Sequence, residues 1–176
     1  ILTAIGIAFW IAVGVFDVSF GGKAEVPSVG ILLMENLGEK EDLFWARGIT
    51  EDLIIKIAGA GLIRVPPMKD IKNVNMDDQF INIANQLRVK YLLSSSIYKH
   101  DNGFDLRCQL IDAKTGNSKY ANKWSEPLEN SPEIVGNLAS NIIKSLNVGT
   151  KQDLTKSSTE NAEAYGLNIK LLFILT

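Results

Sequence analysis

The chain has 176 residues, 46% hydrophobic and 22% charged, with Lys+Arg 18 against Asp+Glu 20 and a net charge of −2. That length supports one domain with a proper core and short appendages, not two ordinary domains, and the composition excludes a disordered chain and a polytopic membrane protein. So even a balance of charge leaves no electrostatic footprint for a phosphate backbone, which argues against nucleic-acid binding. The single cysteine, Cys108, rules out an internal disulfide and a multi-cysteine metal site.

The first segment, ILTAIGIAFWIAVGVF, carries no charge from Ile1 to Phe16. As a helix it would cover roughly 24 Å, a little short of a hydrocarbon core of ~30 Å. A transmembrane helix over residues 1–20, cut short at its upstream end, is the expectation. No basic n-region precedes it and FGGKAEV offers no small-x-small cleavage site, so a signal peptide fits less well. Lys23 is the only basic residue close after the run, and acidic residues dominate from Glu25 to Asp42. That flank has little to hold it in the cytoplasm, which predicts a single-pass inner-membrane protein with an extracytoplasmic domain.

GGKAEVPS, residues 21–28, reads as the linker leaving the membrane. The nearly continuous apolar run Val29 to Leu37 is expected to be a strand buried on both faces. Asp42 is the expected N-cap of a helix running to about Ala58, with Trp45, Ile49, Leu53, Ile54 and Ile57 on its apolar face. Gly59-Ala60-Gly61 ends it. LIRVPP from Leu62 predicts a second strand, parallel to the first through a right-handed crossover. Asp77 is the expected cap of the next helix, whose Phe80, Ile83, Ala84 and Leu87 recur at helical spacing.

The period then changes. YLLSSSIYK and FDLRCQLID flank HDNG, a hairpin signal, and DAKTG delivers the chain to a third antiparallel strand, SKYANKW. Phe104, Leu106, Cys108 and Leu110 alternate with Asp105, Arg107 and Gln109, so one face is packed and the other wet. Ser131 as N-cap with Pro132 behind it opens a helix whose stripe is Ile134, Leu138, Ile142 and Leu146. Residues 149–160 read as a second linker. The last segment, 161–176, is expected to be a helix without a partner in this chain, the start of a truncated repeat whose removal costs little. The predicted fold class is α/β: a two-layer mixed sheet of about five strands with about three helices (β-α-β-α-β-β-β-α) over residues 29–148.

Within FWARGITEDL, Phe44 to Leu53, a hydroxyl, two carboxylates and an arginine lie close in sequence. Successive helical side chains are rotated by ~100°, so Thr50, Glu51 and Asp52 point in three directions and cannot converge as a nucleophile with an acid/base pair, while Arg47 and Glu51 can pair at i, i+4. His100 falls in the hairpin turn with no orienting partner in sequence. Cys108 falls on the packed face. Asp112 in D-x-x-T-G accepts from the amides of its own turn while Gly116 supplies positive φ. The glycines at Gly21-Gly22 and Gly59-Gly61 lack the lysine and helix of a phosphate loop, and no metal-ligand spacing is present. No catalytic, cofactor or metal residue is assigned. A protein partner is the expectation.

The order ENL, FWARGITEDL, GLIRV, IANQLRVKYLLSSSI, QLIDAKTG and NAEAY resembles the TolB-like amino-terminal domain family, found with tetratricopeptide repeats in bacterial adenylate cyclases and membrane-anchored regulators. The likeness covers about Val29 to Tyr165. It departs from the family at Leu33-Met34, Ser94-Ser95 and Leu172 to Leu175. The resemblance implies a non-catalytic α/β domain beyond a membrane helix, followed by helical repeats, with a signalling domain such as a nucleotide cyclase upstream.

Overall fold

The computed structural model describes residues 26–148 and 162–175. The expected transmembrane helix, most of the first linker, the second linker and the start of the last segment lie outside the described residues. Among the described residues no helix is long and apolar enough to cross a membrane.

Among the described residues the architecture is a five-stranded mixed sheet with five helices. The strands are β1 (Val29–Ile31), β2 (Glu35–Asn36), β3 (Tyr91–His100), β4 (Gly103–Asp112) and β5 (Ser118–Pro127). The helices are α1 (Leu43–Gly59), α2 (Met68–Lys72), α3 (Phe80–Leu87), α4 (Ser131–Ser145) and α5 (Ala162–Leu175). The sheet order is β1-β3-β4-β5, with β2 also parallel to β3, so β1 and β2 lie end to end along one side of the same strand. β3, β4 and β5 are antiparallel, as the turn chemistry predicted.

One face of the sheet carries the main core. Leu93, Leu110 and Tyr120 form one row across it, and Ile97, Leu106 and Trp124 another. Trp45, Ile49, Leu53 and Ile57 of α1 and Leu138 and Ile142 of α4 belong to the same buried cluster. Helix α3 covers the opposite face at the β1 side, where Leu87 and Val89 close over Gly30 and Leu92. A Cβ at Gly30 would stand 2.9 Å from Leu92 and 3.0 Å from Leu87. The expected two layers are therefore three at this edge.

Several expectations are corrected. The apolar run from Val29 is two short strands rather than one, because the Met34 N–H leaves the ladder to donate to Thr50 Oγ1 at 3.0 Å. LIRVPP is not a strand. It makes a single parallel bridge, Ser28 to Arg64, before Pro66 and Pro67, which carry no N–H, end the pairing. Asp42 stands at the N-cap position of α1, but its side chain makes no capping bond. A 3-10 turn over Lys40–Asp42 precedes the helix, and the carboxylate pairs with Lys99 Nζ at 3.0 Å. Asp77 does not cap α3. The residue before that helix is Gln79, whose N–H donates to Asp78 Oδ1 at 2.7 Å. Ser131 is the first residue of α4, not its cap.

The largest correction concerns α5. Tyr165 and Ile169, one turn apart, are 3% and 1% exposed and belong to the domain core. The helix packs across α1, with Tyr165 bonded to Asp52 and Ile169 against Gly48. The absence of a side chain at Gly48 permits this approach, since a Cβ there would come within 2.2 Å of Ile169. Gly166 lies against the Trp45 ring, where a Cβ would make ordinary contact at 3.4 Å.

An Ile169→Ala variant is therefore expected to lose about 2–5 kcal/mol of stability, the cost of a fully buried isoleucine. An unpacked repeat helix would lose under about 0.5 kcal/mol. Gly48→Leu should destabilise by about 1–3 kcal/mol through overpacking, despite its better helix propensity, and Ile169→Ala in the same chain should relieve part of that clash. Urea midpoints of the two single variants and the double variant measure both.

Candidate functional site

Thr50 and Asp52 of FWARGITEDL are used by the fold. Thr50 is fully buried, donates its hydroxyl to the Ala46 carbonyl at 2.7 Å and accepts from Met34 N–H. Asp52 lies on a different side of α1, where Oδ2 accepts from the Tyr165 hydroxyl at 2.9 Å and Oδ1 stands 3.9 Å from Lys56 Nζ. The hydroxyl and this carboxylate face different neighbours, as the helical rotation requires. Burial raises the Asp52 carboxyl above its ordinary value, and Lys56 and the Tyr165 hydroxyl pull it partly back. Burial, with the charge and hydrogen bond of Asp52, pushes the Tyr165 phenol well above its usual range.

The other candidates take ordinary structural places. Asp112 Oδ1 accepts from the N–H groups of Lys114 at 3.1 Å and Thr115 at 3.2 Å, and Gly116 has φ 71°. Cys108 is buried, and burial pushes its thiol up to about 11, which suppresses the thiolate at neutral pH. His100 is the last residue of β3 and its ring lies 6.2 Å from that of Tyr98. Among the described residues no three His, Cys, Asp or Glu side chains gather to hold a metal ion.

What remains is a surface. Among the described residues, the second face of the sheet is open beyond the part covered by α3, and the strand register arranges its side chains in rows. Ser94, Gln109 and Ala121 form the first; Glu35, Ser96, Arg107 and Lys123 the second; Tyr98, Asp105 and Ser125 the third. All are exposed or half-buried. The Ser125 hydroxyl, then Lys123, His100 and Arg107, hold the Asp105 carboxyl below its ordinary value. This face adjoins β5, which among the described residues bonds to β4 alone and leaves ten residues of edge. Lys119 and Lys123 on that strand are exposed, the kind of charge that guards an edge against indiscriminate pairing. The wet face was legible in the alternation of FDLRCQLID. Its continuation through Glu35 was not, because two residues of strand give no periodic signal.

No protein-family profile matches the chain. It is 26% identical over 142 residues to a Rhizobium meliloti (strain 1021) protein named "Putative adenylate cyclase 3", a match covering 80% of this chain and 24% of that protein. The chain thus spans about a quarter of the curated relative it matches. Among solved structures, TolB from Acinetobacter baumannii is similar with a TM-score of 0.52 and 13% identity, over 69% of this chain and 28% of TolB. Lipoprotein GNA1162 from Neisseria meningitidis aligns with a TM-score of 0.48 and 13% identity, over 69% of this chain and 98% of that one. The fold is similar to that of the aligned part of TolB.

The Asp52–Tyr165 contact makes stability depend on pH with a defined sign. Both groups hold their proton more tightly folded than unfolded, so their contribution is complete at low pH and falls as pH rises. For Asp52 the fall begins near its unfolded value of about 3.9, and for Tyr165 near about 10. Urea midpoints against pH should show Asp52→Asn lacking the first decline and Tyr165→Phe lacking the second. Unchanged slopes in both variants would place the pair in solvent.

Proposed function

We propose that this chain is a non-catalytic, membrane-tethered sensory or protein-interaction module of a larger bacterial signalling or regulatory protein. The observation that carries the reading is the contrast between the two sides of the molecule. On the α1 side the hydroxyl and carboxylate that suggested chemistry are consumed by packing and hydrogen bonds. On the other side lies an open polar sheet face with mixed charge beside a free strand edge. Charged and aromatic side chains held in fixed rows by a sheet suit recognition of another protein, since rigid presentation lowers the ordering cost of binding.

In this reading residues 1–20 span the inner membrane once, the domain lies on the extracytoplasmic side, and the segment from 161 begins a tetratricopeptide-type array whose first helix packs on the domain as α5. A second reading is supported by the relative in Rhizobium meliloti: the chain is a fragment of an adenylate or guanylate cyclase whose catalytic domain lies upstream. The two readings are compatible, because the module would then carry the signal to that catalytic domain.

The test places a photo-crosslinking residue at Gln109 or Lys123 on the open face, or at Lys69 on α2. Crosslinks to a discrete protein from the first two positions and not from the third are expected. Equal crosslinking from all three would sink the assignment of this face. Arg107→Glu with Lys123→Glu should then weaken that partner's binding at least about tenfold, with stability held within about 0.5 kcal/mol. The isolated chain is expected to turn over no nucleotide, and turnover abolished by Asp52→Asn or Glu51→Gln would overturn the non-catalytic reading.

A further inference from the structure

Charge on the domain is not spread evenly. Tyr91, Asp112 and Ser118 mark one end of the sheet; His100, Gly103 and Pro127 mark the other. At the hairpin end Glu39, Glu41, Asp101, Glu129 and Glu133 are exposed, with Lys40 among them. At the opposite end Arg64, Arg88, Lys90 and Lys114 are exposed, Lys144 lies in the last turn of α4, and among the described residues Asp112 supplies a carboxylate there. The net charge of −2 thus conceals a dipole along the strands.

Helix dipoles do not account for the basic end. α1, α3 and α4 finish there, and cations near helix C-termini are ordinary, but each terminus carries only about half a negative charge. Among the described residues the five cations exceed Asp112 and three such termini together by roughly two and a half charges. Arg88, Lys90 and Lys114 also share a wall. With Ser28, Asp112 and Thr115 they line an open cleft of about 610 Å³.

The chain enters the domain at this same end. Ser28 Oγ accepts from the Lys90 N–H at 3.0 Å, and the Ser28 carbonyl accepts from Tyr91 N–H at 3.0 Å. Upstream, only residues 17–25 separate Val26 from the uncharged run Ile1 to Phe16. Nine residues span at most ~3.3–3.6 Å each, so a membrane holding that run lies within roughly 30 Å of the basic cleft.

We propose that the basic end, through Arg88, Lys90 and Lys114, docks on the headgroups of anionic phospholipids beside the membrane holding Ile1 to Phe16, with the strands along the membrane normal and the acidic hairpin end outward. The proposal rests on the membrane-tethered reading. Tethering raises the effective concentration of lipid at the cleft, and basic residues near an anionic surface each strengthen its attraction severalfold.

The test uses the full chain with vesicles of phosphatidylcholine alone or with phosphatidylglycerol, and reads hydrogen exchange of residues 84–92 and 112–118 against residues 100–104 at the other end. Slower exchange at the basic end in anionic vesicles, reversed by high salt, is expected. The triple variant R88E/K90E/K114E should lower the docked-to-undocked ratio about 100-fold. If it fails to fold, the neutral variant R88N/K90Q/K114Q serves. Equal exchange in both vesicle types, with the chain bound to both, overturns the docking while leaving the tether intact. A chain that does not float with neutral vesicles overturns the tether. Salt-sensitive protection by anionic vesicles then still supports docking, and its absence overturns docking too. Equal protection by dissolved inorganic phosphate, without further change on adding vesicles, would assign the cleft to a soluble anion and overturn the lipid proposal.

Discussion

Helix α1 is buried on more than one side, and the rest of the structure follows from that constraint. Ile49, Leu53 and Ile57 are almost wholly inaccessible within the core, while Gly48 and Asp52 lie beneath α5. A helix so enclosed has little freedom to place polar groups for chemistry. Thr50 satisfies its hydroxyl within the helix and with the Met34 amide, and that bond ends β1 and permits β2. Asp52 retains a carboxylate at a packed seam only by accepting from Tyr165 and standing near Lys56. Burial of a charge at such a seam is tolerated because it is hydrogen-bonded.

The sheet divides the molecule into a structural side and a presenting side. Packing of α1 and α4 consumes one face, and α3 closes part of the other around Gly30. The remaining face and the β5 edge stay wet, their backbones held by ten-residue antiparallel pairings. Rigidity of backbone with freedom of surface composition suits a module that works by contact. The strand axis adds a second asymmetry, since its two ends differ in charge and the chain enters at the basic one.

Tyr165 and Ile169 show why the boundary of the domain was the hardest feature to read. A stretch of 12 polar-rich residues, 149–160, looks like a linker to whatever follows. It gives no indication that the next helix returns to the same core. What makes that return possible lies one turn apart on α1, far in sequence from the helix it receives: the missing side chain at Gly48 and the acceptor at Asp52. Neither is conspicuous alone. Likewise, LIRVPP has the composition of a strand, yet a strand exists only where a partner offers a ladder, and the prolines end this one after a single bridge.

Local chemistry, repeated at a fixed period, was enough to determine α1, α3, α4, the β3–β4 hairpin, the Asp112 turn and the wet alternation of β4. Each is set by neighbours within a few residues: helical spacing of apolar side chains, turn residues between two strands, alternation along a strand. The hairpin turn itself is Asp101-Asn102, with Gly103 already paired to His100 rather than at its centre. The same reasoning separated Thr50, Glu51 and Asp52 by direction before any tertiary contact was known. Only the tertiary structure decided that the first strand breaks at Met34, that the Asp42 side chain makes an ion pair with Lys99 instead of a capping bond, and that α5 belongs to the core. The reason is common to all three. Each depends on a group from a distant part of the chain, and such competition is invisible to a local pattern because its energy exists only after the chain has folded.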